Sequence, residues 1–580
     1  MPVSARLLTW FVGALSLTGL ALKSYNASVT TSPEFFRAHI GAGPQHHATG
    51  QTVEALESTR SDRFYNDTRS SSSRQRRGLF KLSDFLDPKS TTERISLPLD
   101  QNDLYLSPTQ TQTKYSLYNI LQTIPHFRRE LFILHYSAKD DEFHVYINES
   151  KDGWVSALQN RIYQIMPMLS FALRHHFQNR FRGKKSKDFV VLASSGDEPK
   201  LDCKCIDGAS CNNKEFAPIL QFGAVFRDES ILPSCVTMPV WHHLTCFRQW
   251  QQSASICPTY RIRAESAGLI GGDEASLHAA ENVMPFEQRW ESLIPQIIWR
   301  GSDFGFIWCV HPELRLIDFG LDIAKRISLS QCRDSARGIL QCLSQLWEIL
   351  TPRWRAVYWT MEAELDVEDM SKAEGNGAPF QQPWIDAKFT VKTHVHGHAL
   401  DPKKIDRYTP YEQYGMTVAS PHFMSLAELS LYRYQFDIGG GGGTTFSGTI
   451  DKLAMPGVLF HHVTATKDYY HDNLVPWMHY IPVQEGMSDL REMYEWAQAN
   501  SEQAMRISEA ASAYVKSWAD PIVMEEMYHK YFVETLGHVV DAYQATEEDV
   551  GEILKKRKWT LIARIPGKDL GIKYTKVPSD

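Results

Sequence analysis

A run of five glycines, Gly439 to Gly443, is the feature that most restricts how this chain can fold. The residues before it, Tyr432 to Asp437, have the aromatic spacing of a short β-strand, and apolar residues resume at Leu453. The order strand, glycine turn, helix start predicts an α/β fold. Glycine lets the backbone approach a ligand closely and a helix start favours anions, so the turn suits a diphosphate.

The spacing of the glycine run fits neither the phosphate-binding loop of P-loop NTPases nor the GxGxxG fingerprint of dinucleotide-binding folds. Hydroxyl side chains follow the glycines at Thr445, Ser447 and Thr449, and Lys452 comes next. Together with the turn, they indicate a nucleotide-activated substrate. A flexible surface loop is the alternative interpretation.

The chain is longer than one hydrophobic core normally serves. Its 580 residues favour two domains with appended segments. The formal net charge of -7 and the lack of a long basic stripe argue against a nucleic-acid-binding protein.

The N-terminus predicts export. Residues 7–22 are mostly apolar, with Arg6 before them and Lys23 after them. We interpret residues 1–23 as an uncleaved signal anchor of a single-pass type II membrane protein, with a cleaved signal peptide as the alternative. Residues 24–114 are polar without a regular apolar period, which is typical of a disordered stem.

The cysteines agree with a lumenal location. Six of the nine fall within residues 203–257, and clustered cysteines in an exported chain favour local disulfides over a zinc site. Sequons at Asn26, Asn66 and Asn148 are compatible with a glycoprotein. The C-terminal residues lack a KDEL-type signal, which favours the Golgi membrane over the endoplasmic reticulum, with secretion as a further alternative.

Strands and helices alternate after the stem. Residues 160–181 have apolar residues at helical spacing, with Pro167 as a kink or restart, and residues 188–193 and 219–226 are strand-like. This alternation predicts parallel sheets flanked by helices. Ligands then bind beyond the carboxyl ends of the strands, where Asp197 and Asp228 follow.

Four motifs, in order along the chain, resemble glycosyltransferase family 90, which contains capsule xylosyltransferases and Rumi-like protein O-glucosyltransferases. They are a WRGS-type motif at residues 295–302, a DA-aromatic-T segment at 384–390, the strand and glycine turn leading to Lys452 and Leu453, and PWMHYIPV at 476–483. The similarity covers roughly residues 218–532, and the last motif is the most specific.

The resemblance implies a GT-B-like architecture of two Rossmann-like domains facing a cleft. We expect an N-terminal acceptor domain at 115–320, a C-terminal UDP-sugar-binding domain at 321–535, and a C-terminal helix and tail at 536–580. It also implies an inverting, metal-independent glycosyltransferase without a cofactor, using a UDP-sugar as its donor substrate. The expected sugar is xylose or glucose, and the expected acceptor is a hydroxyl of a glycan or glycoprotein in the secretory pathway.

The resemblance also suggests site residues. Asp228, after Arg227, resembles the family's Arg-Asp pair that supplies the catalytic base, because inversion needs a carboxylate to deprotonate the acceptor hydroxyl. Alternative bases are Glu229, Asp197 and Asp303, and Asp228 could instead cap a helix or pair with Arg227.

Without a metal, cations, amides and hydroxyls must offset the charge of the diphosphate. The expected residues that bind the sugar donor are Arg300, Gly301, Ser302, Gly443, Thr445, Ser447, Thr449 and Lys452. Animal family members have an arginine where this chain has Thr449, so Lys452 or a residue elsewhere is expected to supply that charge.

Other patterns have structural interpretations. Residues 317–320 contain a kinase-like DFG without the other kinase motifs, and the alternating His394, His396 and His398 lack a matching carboxylate. Structural roles are the default for His461, His462 and His471. Two other functional classes remain open, a catalytically inactive carbohydrate-binding relative and a glycoside hydrolase with paired carboxylates.

Overall fold

The computed structural model describes residues 114–126, 130–148, 155–181, 186–196, 216–225, 235–237, 286–303, 305–307, 311, 313–314, 335–374, 381–390, 409–412, 414–420, 424–440, 448–464, 466–518, 521–566 and 575–576. They belong to one compact unit, Arg94–Asp580. The predicted signal anchor, all of the stem except Lys114, and every cysteine of the 203–257 cluster except Cys235 lie outside the described residues.

Fifteen strands occur in the described residues: β1 Leu131–Ser137, β2 Glu142–Asn148, β3 Phe189–Ser194, β4 Ile219–Gln221, β5 Gly223–Val225, β6 Cys235–Thr237, β7 Ile294–Gly301, β8 Ile385–Thr390, β9 Ala419–Ser420, β10 Tyr432–Asp437, β11 Val458–His462, β12 Thr466–Asp468, β13 Ile481–Val483, β14 Trp559–Pro566 and β15 Thr575–Lys576.

The α-helices of the same residues are α1 Leu117–Thr123, α2 Val155–His176, α3 Gln178–Phe181, α4 Phe286–Ser292, α5 Ala336–Gln345, α6 Pro352–Glu374, α7 Thr409–Glu412, α8 Leu426–Leu429, α9 Gly448–Leu453, α10 Leu490–Ala499, α11 Ser501–Ser517, α12 Pro521–Tyr528, α13 Glu534–Ala542 and α14 Val550–Lys556. Short 3₁₀ turns occur at Ile124–His126, Trp347–Ile349 and His471–Asn473, and a π-helical turn at His529–Val533 joins α12 to α13.

The first sheet is mixed rather than parallel. Its seven strands have the order β15-β14-β2-β1-β3-β4-β6. β1 pairs antiparallel with both β2 and β3, whereas β3, β4 and β6 are parallel. A tight turn at residues 138–141 connects β1 directly to β2, and so short a connection permits only an antiparallel pair. The predicted parallel arrangement therefore applies to only part of this sheet.

The second sheet is parallel throughout. Its six strands have the order β13-β11-β10-β7-β8-β9, and every neighbouring pair is parallel. The central strands β10 and β11 are almost entirely buried, as expected for a parallel sheet covered by helices. Helices α9 and α11 both pack against β11, and α6 packs against β8.

Several predicted elements match the structure. The expected helix at 160–181 is α2 followed by α3, and α2 continues through Pro167. The strand at 432–437 and the helix start after the glycine run are confirmed as β10 and α9. The expected strand at 219–226 differs, because it is split into β4 and β5, which belong to different sheets.

The helices after the parallel sheet return to the first sheet. The His176 Nε2 atom of α2 lies 3.1 Å from the hydroxyl oxygen of Tyr528 in α12. The ring of Tyr115 packs against Tyr543, which follows α13. β7 belongs to the parallel sheet although it precedes residue 321, and β14 belongs to the mixed sheet. The domain boundaries given above stay a prediction.

Candidate functional site

The carboxyl edge of the parallel sheet, meaning the loops that follow β7, β10, β11 and β13, is the candidate functional site. Parallel strands bring these four loops to one side of the sheet, where open α/β sheets bind their ligands. Two of the loops begin with predicted residues, Ser302 after β7 and the glycine run after β10.

Arg353 joins these two loops. It lies in the first turn of α6, and its Nη1 donates to the Ser302 carbonyl at 2.6 Å, while Nη2 donates to the Ile438 carbonyl at 3.2 Å. Its guanidinium carbon lies 5.5 Å from the centre of the Trp299 ring. Burial lowers the pKa of Arg353 to about 10, so the guanidinium is still protonated at neutral pH. The residue as a whole is partly exposed.

Two glycines make this packing possible. A Cβ atom on Gly440 would lie 2.7 Å from Arg353 Nη2, closer than real side chains approach one another. A Cβ atom on Gly301 would lie 2.4 Å from the Trp299 ring. A larger residue at either position would therefore require the neighbouring side chain, Arg353 or Trp299, to move. The predicted contact of Gly301 with a sugar donor stays a prediction.

The predicted cation of the first motif, Arg300, is paired with a carboxylate. Its Nη2 lies 2.5 Å from Asp386 Oδ2, and its Nη1 donates to the Asp386 carbonyl at 2.7 Å. Lys388 Nζ is 3.3 Å from Asp386 Oδ1 and 2.7 Å from Glu364 Oε1. The charge of Arg300 is thus largely balanced by Asp386 in a mostly buried ion pair, whose main effect is to join β7 to β8.

Asp437 connects the end of β10 to α9 and to the end of β11. This carboxylate is fully buried at the end of β10 and accepts hydrogen bonds from Thr449 Oγ1 at 2.6 Å and from the His462 backbone N–H at 3.2 Å. His461 Nδ1 lies 2.8 Å from Asp437 Oδ1. Burial alone would raise the pKa of Asp437, but His461, Lys452 and the Thr449 hydroxyl hold it well below its usual range.

Of the predicted residues in and after the turn, the structure describes Thr449 and Lys452. Thr449 is fully buried, and its hydroxyl donates to Asp437. Lys452 is partly exposed, and burial lowers its pKa while Asp437 opposes the shift. Gly443, Thr445 and Ser447 lie outside the described residues. All five assignments to the binding of the sugar donor stay predictions.

His462 extends the contacts to the loop after β13. Its Nδ1 accepts from the Gly439 N–H at 3.2 Å, and its Nε2 donates to the Glu485 carbonyl at 2.9 Å. A backbone N–H can only donate and a carbonyl can only accept, so the neutral ring protonated at Nε2 satisfies both bonds. Burial lowers the pKa of His462 to about 4, which agrees with a neutral ring.

Arg353, Ser302, Ile438, Gly439, His462 and Glu485 therefore form a continuous chain of hydrogen bonds, which we call the edge network. It joins the loops after β7, β10, β11 and β13 to the start of α6. Arg355, two residues after Arg353, anchors the same helix separately by donating to the Gly486 carbonyl at 2.7 Å. Sequence reasoning did not identify either arginine, since neither lies in a recognisable motif.

The segment before Asp228 reaches the parallel half of the molecule. β5 pairs antiparallel with β12, and Val225 is the register partner of Thr466, four residues after the end of β11. Asp228, Glu229 and Asp197 lie outside the described residues, as do the DFG residues and the three alternating histidines. The remaining alternative base, Asp303, accepts a hydrogen bond from Trp354 Nε1 at 3.2 Å.

Residues 406–544 match the profile of Glycosyl transferase family 90. This segment of the chain is therefore similar to glycosyltransferase family 90. The family 90 match includes β10, the glycine run, β11 and β13, and hence the Ile438, Gly439, His462 and Glu485 part of the edge network. Ser302 and Arg353 lie before it, in the part of the chain where the resemblance depends on the shorter WRGS-type motif.

Similar proteins include three named for O-glucosyl transfer. Protein O-glucosyltransferase 2 of Danio rerio is 29% identical over 115 residues, which cover 19% of this chain and 21% of that protein. Protein O-glucosyltransferase 3 of Rattus norvegicus is 22% identical over 198 residues, covering 30% of this chain and 36% of that protein. Protein O-glucosyltransferase 1 of Homo sapiens is 30% identical over 87 residues, covering 15% and 21%. The chain thus spans about a fifth to about a third of the length of these relatives.

Two features are absent from the described residues. None of their helices combines the length and the apolar character needed to cross a bilayer. The predicted anchor at residues 1–23 is outside them. No three of their histidine, cysteine, aspartate or glutamate side chains are grouped as metal ligands would be.

Proposed function

We propose that this chain is an inverting, metal-independent glycosyltransferase that moves a sugar from a UDP-sugar to a hydroxyl of a glycan or glycoprotein. The edge network supports the proposal most directly, because it brings the WRGS-type motif and the glycine run of a family 90 protein to one edge of a parallel sheet. The names of the similar proteins favour glucose over xylose as the transferred sugar.

The diphosphate of the sugar donor would bind at the carboxyl edge. Ser302 and the glycine run would surround it with backbone amides and hydroxyl groups, together with Thr445 and Ser447. Fixed dipoles of this kind stabilise the charge that develops on the leaving diphosphate without having to reorganise during the reaction. The protein would thereby supply the stabilisation that a metal ion gives in other glycosyltransferases.

Asp228 is the proposed catalytic base. It follows Val225 by three residues, which span at most about 11 Å of extended chain. Because β5 and β12 are antiparallel, β5 runs toward Thr464 and the end of β11. This direction supports a base that approaches the sugar donor from the first half of the chain.

The reaction would be a single displacement. The oxygen of the acceptor hydroxyl forms a bond to C1 of the sugar while the bond between C1 and the β-phosphate oxygen breaks. UDP leaves with the electron pair of that bond, and the hydroxyl proton passes to the Asp228 carboxylate. Attack from the side opposite UDP inverts the configuration at C1.

The mixed sheet and the parallel sheet would be the cores of two Rossmann-like domains of a GT-B architecture, with the cleft between them holding both substrates. The mostly apolar segment at residues 7–22 supports an anchor of a type II protein with a lumenal catalytic portion, and the proposed compartment is the Golgi membrane.

UDP release from a panel of UDP-sugars, measured for the full chain with EDTA present, tests the proposal. We expect turnover of UDP-glucose or UDP-xylose. Replacing Asp228 by Asn should lower kcat about 100-fold or more while UDP binding is retained, because a general base contributes about 10²- to 10⁴-fold. Glu229→Gln, at the adjacent carboxylate, is the matched control and should retain turnover.

A strict need for added manganese would contradict the metal-independent mechanism. Undiminished turnover in Asp228→Asn would contradict the assignment of the base. Release of free sugar from glycans without any nucleotide would contradict the transferase itself and favour a glycoside hydrolase.

A further inference from the structure

Arg353 occupies a special place in the candidate site, because it contacts both segments proposed to bind the sugar donor. One nitrogen of its guanidinium donates to the Ser302 carbonyl after β7, and another donates to the Ile438 carbonyl just before the glycine run. A single rigid side chain thus sets the separation of these two loops. The planar fork of arginine suits such a double contact better than the single ammonium of lysine.

The positive charge of Arg353 lies between the two segments proposed to bind the sugar donor. Arg353 remains protonated at neutral pH despite burial, and the residue as a whole is partly exposed. The sequence suggests two other cations. Arg300 is paired with Asp386. Burial lowers the pKa of Lys452, and the ionised Asp437 is close enough to oppose that shift. The acidic group that acts most on Arg353 is Asp303, which is itself bound by Trp354.

We propose that Arg353 is the positioning residue of the sugar-donor site, where it holds the Ser302 and glycine-run backbones in one cradle and provides positive charge to the bound diphosphate. The proposal rests on the proposed function, since it assigns a role within that site. Gly440 is part of the same arrangement, because a Cβ atom at this position would displace the guanidinium of Arg353.

The discriminating measurement compares UDP with uridine, which lacks the diphosphate. We expect Arg353→Met in the full chain to weaken UDP binding in calorimetry about tenfold to a hundredfold, as for the loss of a charge-assisted contact. Uridine affinity should change less than about twofold. Arg353→Lys, which keeps the charge but not the fork, should recover part of the lost UDP affinity.

Gly440→Ala tests the same idea without removing any charge. The new Cβ atom would lie 2.7 Å from Arg353 Nη2, so the guanidinium must move away from the cradle. We expect a smaller loss of UDP affinity, again without loss of uridine affinity. The matched control is Gly486→Ala, whose Cβ atom would lie 3.5 Å from Arg355 Nη1, an ordinary contact that should leave both affinities unchanged.

The outcomes separate the two proposals. Equal losses of UDP and uridine affinity in Arg353→Met and Gly440→Ala would overturn the proposal, because they indicate a purely structural arginine. Unchanged UDP affinity in a chain that turns over UDP-sugars would also overturn it while leaving the proposed function intact. If the unaltered chain does not bind UDP, both proposals fail. If Arg353→Met does not fold, Gly440→Ala decides.

Discussion

His462 should make the protein sensitive to mild acid, and replacing it by Gln should remove that sensitivity. In the folded chain its pKa is lowered to about 4 by burial, whereas an unfolded histidine titrates near 6.5. Between these values the unfolded state binds more protons than the folded state. The contribution of His462 to the free energy of unfolding therefore falls as the pH falls, by about 2 kcal/mol between pH 7 and pH 5.

At pH 7 the variant should be less stable than the wild type. The Gln side chain can still donate to the Glu485 carbonyl, but the buried Gly439 N–H loses its acceptor, which costs about 1 to 3 kcal/mol. Most of this stability difference should disappear at pH 5, because keeping His462 neutral in the folded wild type costs free energy there. The stability difference between the two proteins should therefore shrink by about 2 kcal/mol.

Urea unfolding followed by tryptophan fluorescence at pH 7 and pH 5 measures this change. Other groups also titrate in the window: His176 has the same sign, and Asp489, whose pKa burial raises to about 6, has the opposite sign. The comparison of wild type and variant cancels both. His311→Gln is the control. Burial lowers the pKa of His311, but Glu485 outweighs that effect and the pKa is raised. The stability difference between the wild type and His311→Gln should therefore grow, rather than shrink, as the pH falls.

An unfolding free energy of His462→Gln that depends on pH as steeply as that of the wild type would refute this reasoning. It would mean that His462 is charged in the folded protein, or that its bonds to Gly439 and Glu485 do not form. Either result would also break the edge network at its centre.

Two further predictions concern packing and ion pairs. Gly457→Ala should lower the stability by about 1 to 3 kcal/mol in thermal unfolding, because its Cβ atom would lie 2.5 Å from the backbone oxygen of Tyr432. An unchanged melting temperature would contradict the close approach of Gly457, just before β11, to β10. Asp386→Asn should lower the free energy of unfolding by about 2 kcal/mol or more, because it leaves Arg300 without its carboxylate. Asp366→Asn, at the exposed pair with Arg337, is the control and should lower it by less than about 1 kcal/mol. Equal effects of the two substitutions in urea unfolding would argue against a buried pair at Arg300.

Local patterns predicted the parallel half of the molecule well. The glycine run between an aromatic strand and an apolar segment correctly placed β10 and α9. Apolar residues also recur at helical spacing in α10 and α11, and each helix buries one face. These signals come from neighbouring residues, so one sequence is enough to reveal them.

The edge network could not be predicted in the same way. Arg353 bonds to carbonyls that are 51 and 85 residues away, and any residue type can supply a backbone carbonyl. The break between β4 and β5 is also decided by a distant segment, because β5 leaves the mixed sheet to pair with β12. The continuous apolar run of residues 219–226 does not indicate that its second half pairs with a different strand from its first half.

The position of β14 has a consequence for how the protein is made. This strand, near the end of the chain, pairs along its whole length with β2, which forms near the start of the described residues. Until residues 559–566 have been synthesised, the edge of β2 that faces away from β1 has no partner strand. Most side chains of β2 are buried in the folded protein, and an unpaired strand of this kind is prone to aggregation. The mixed sheet can therefore complete this pairing only after residues 559–566 have been synthesised.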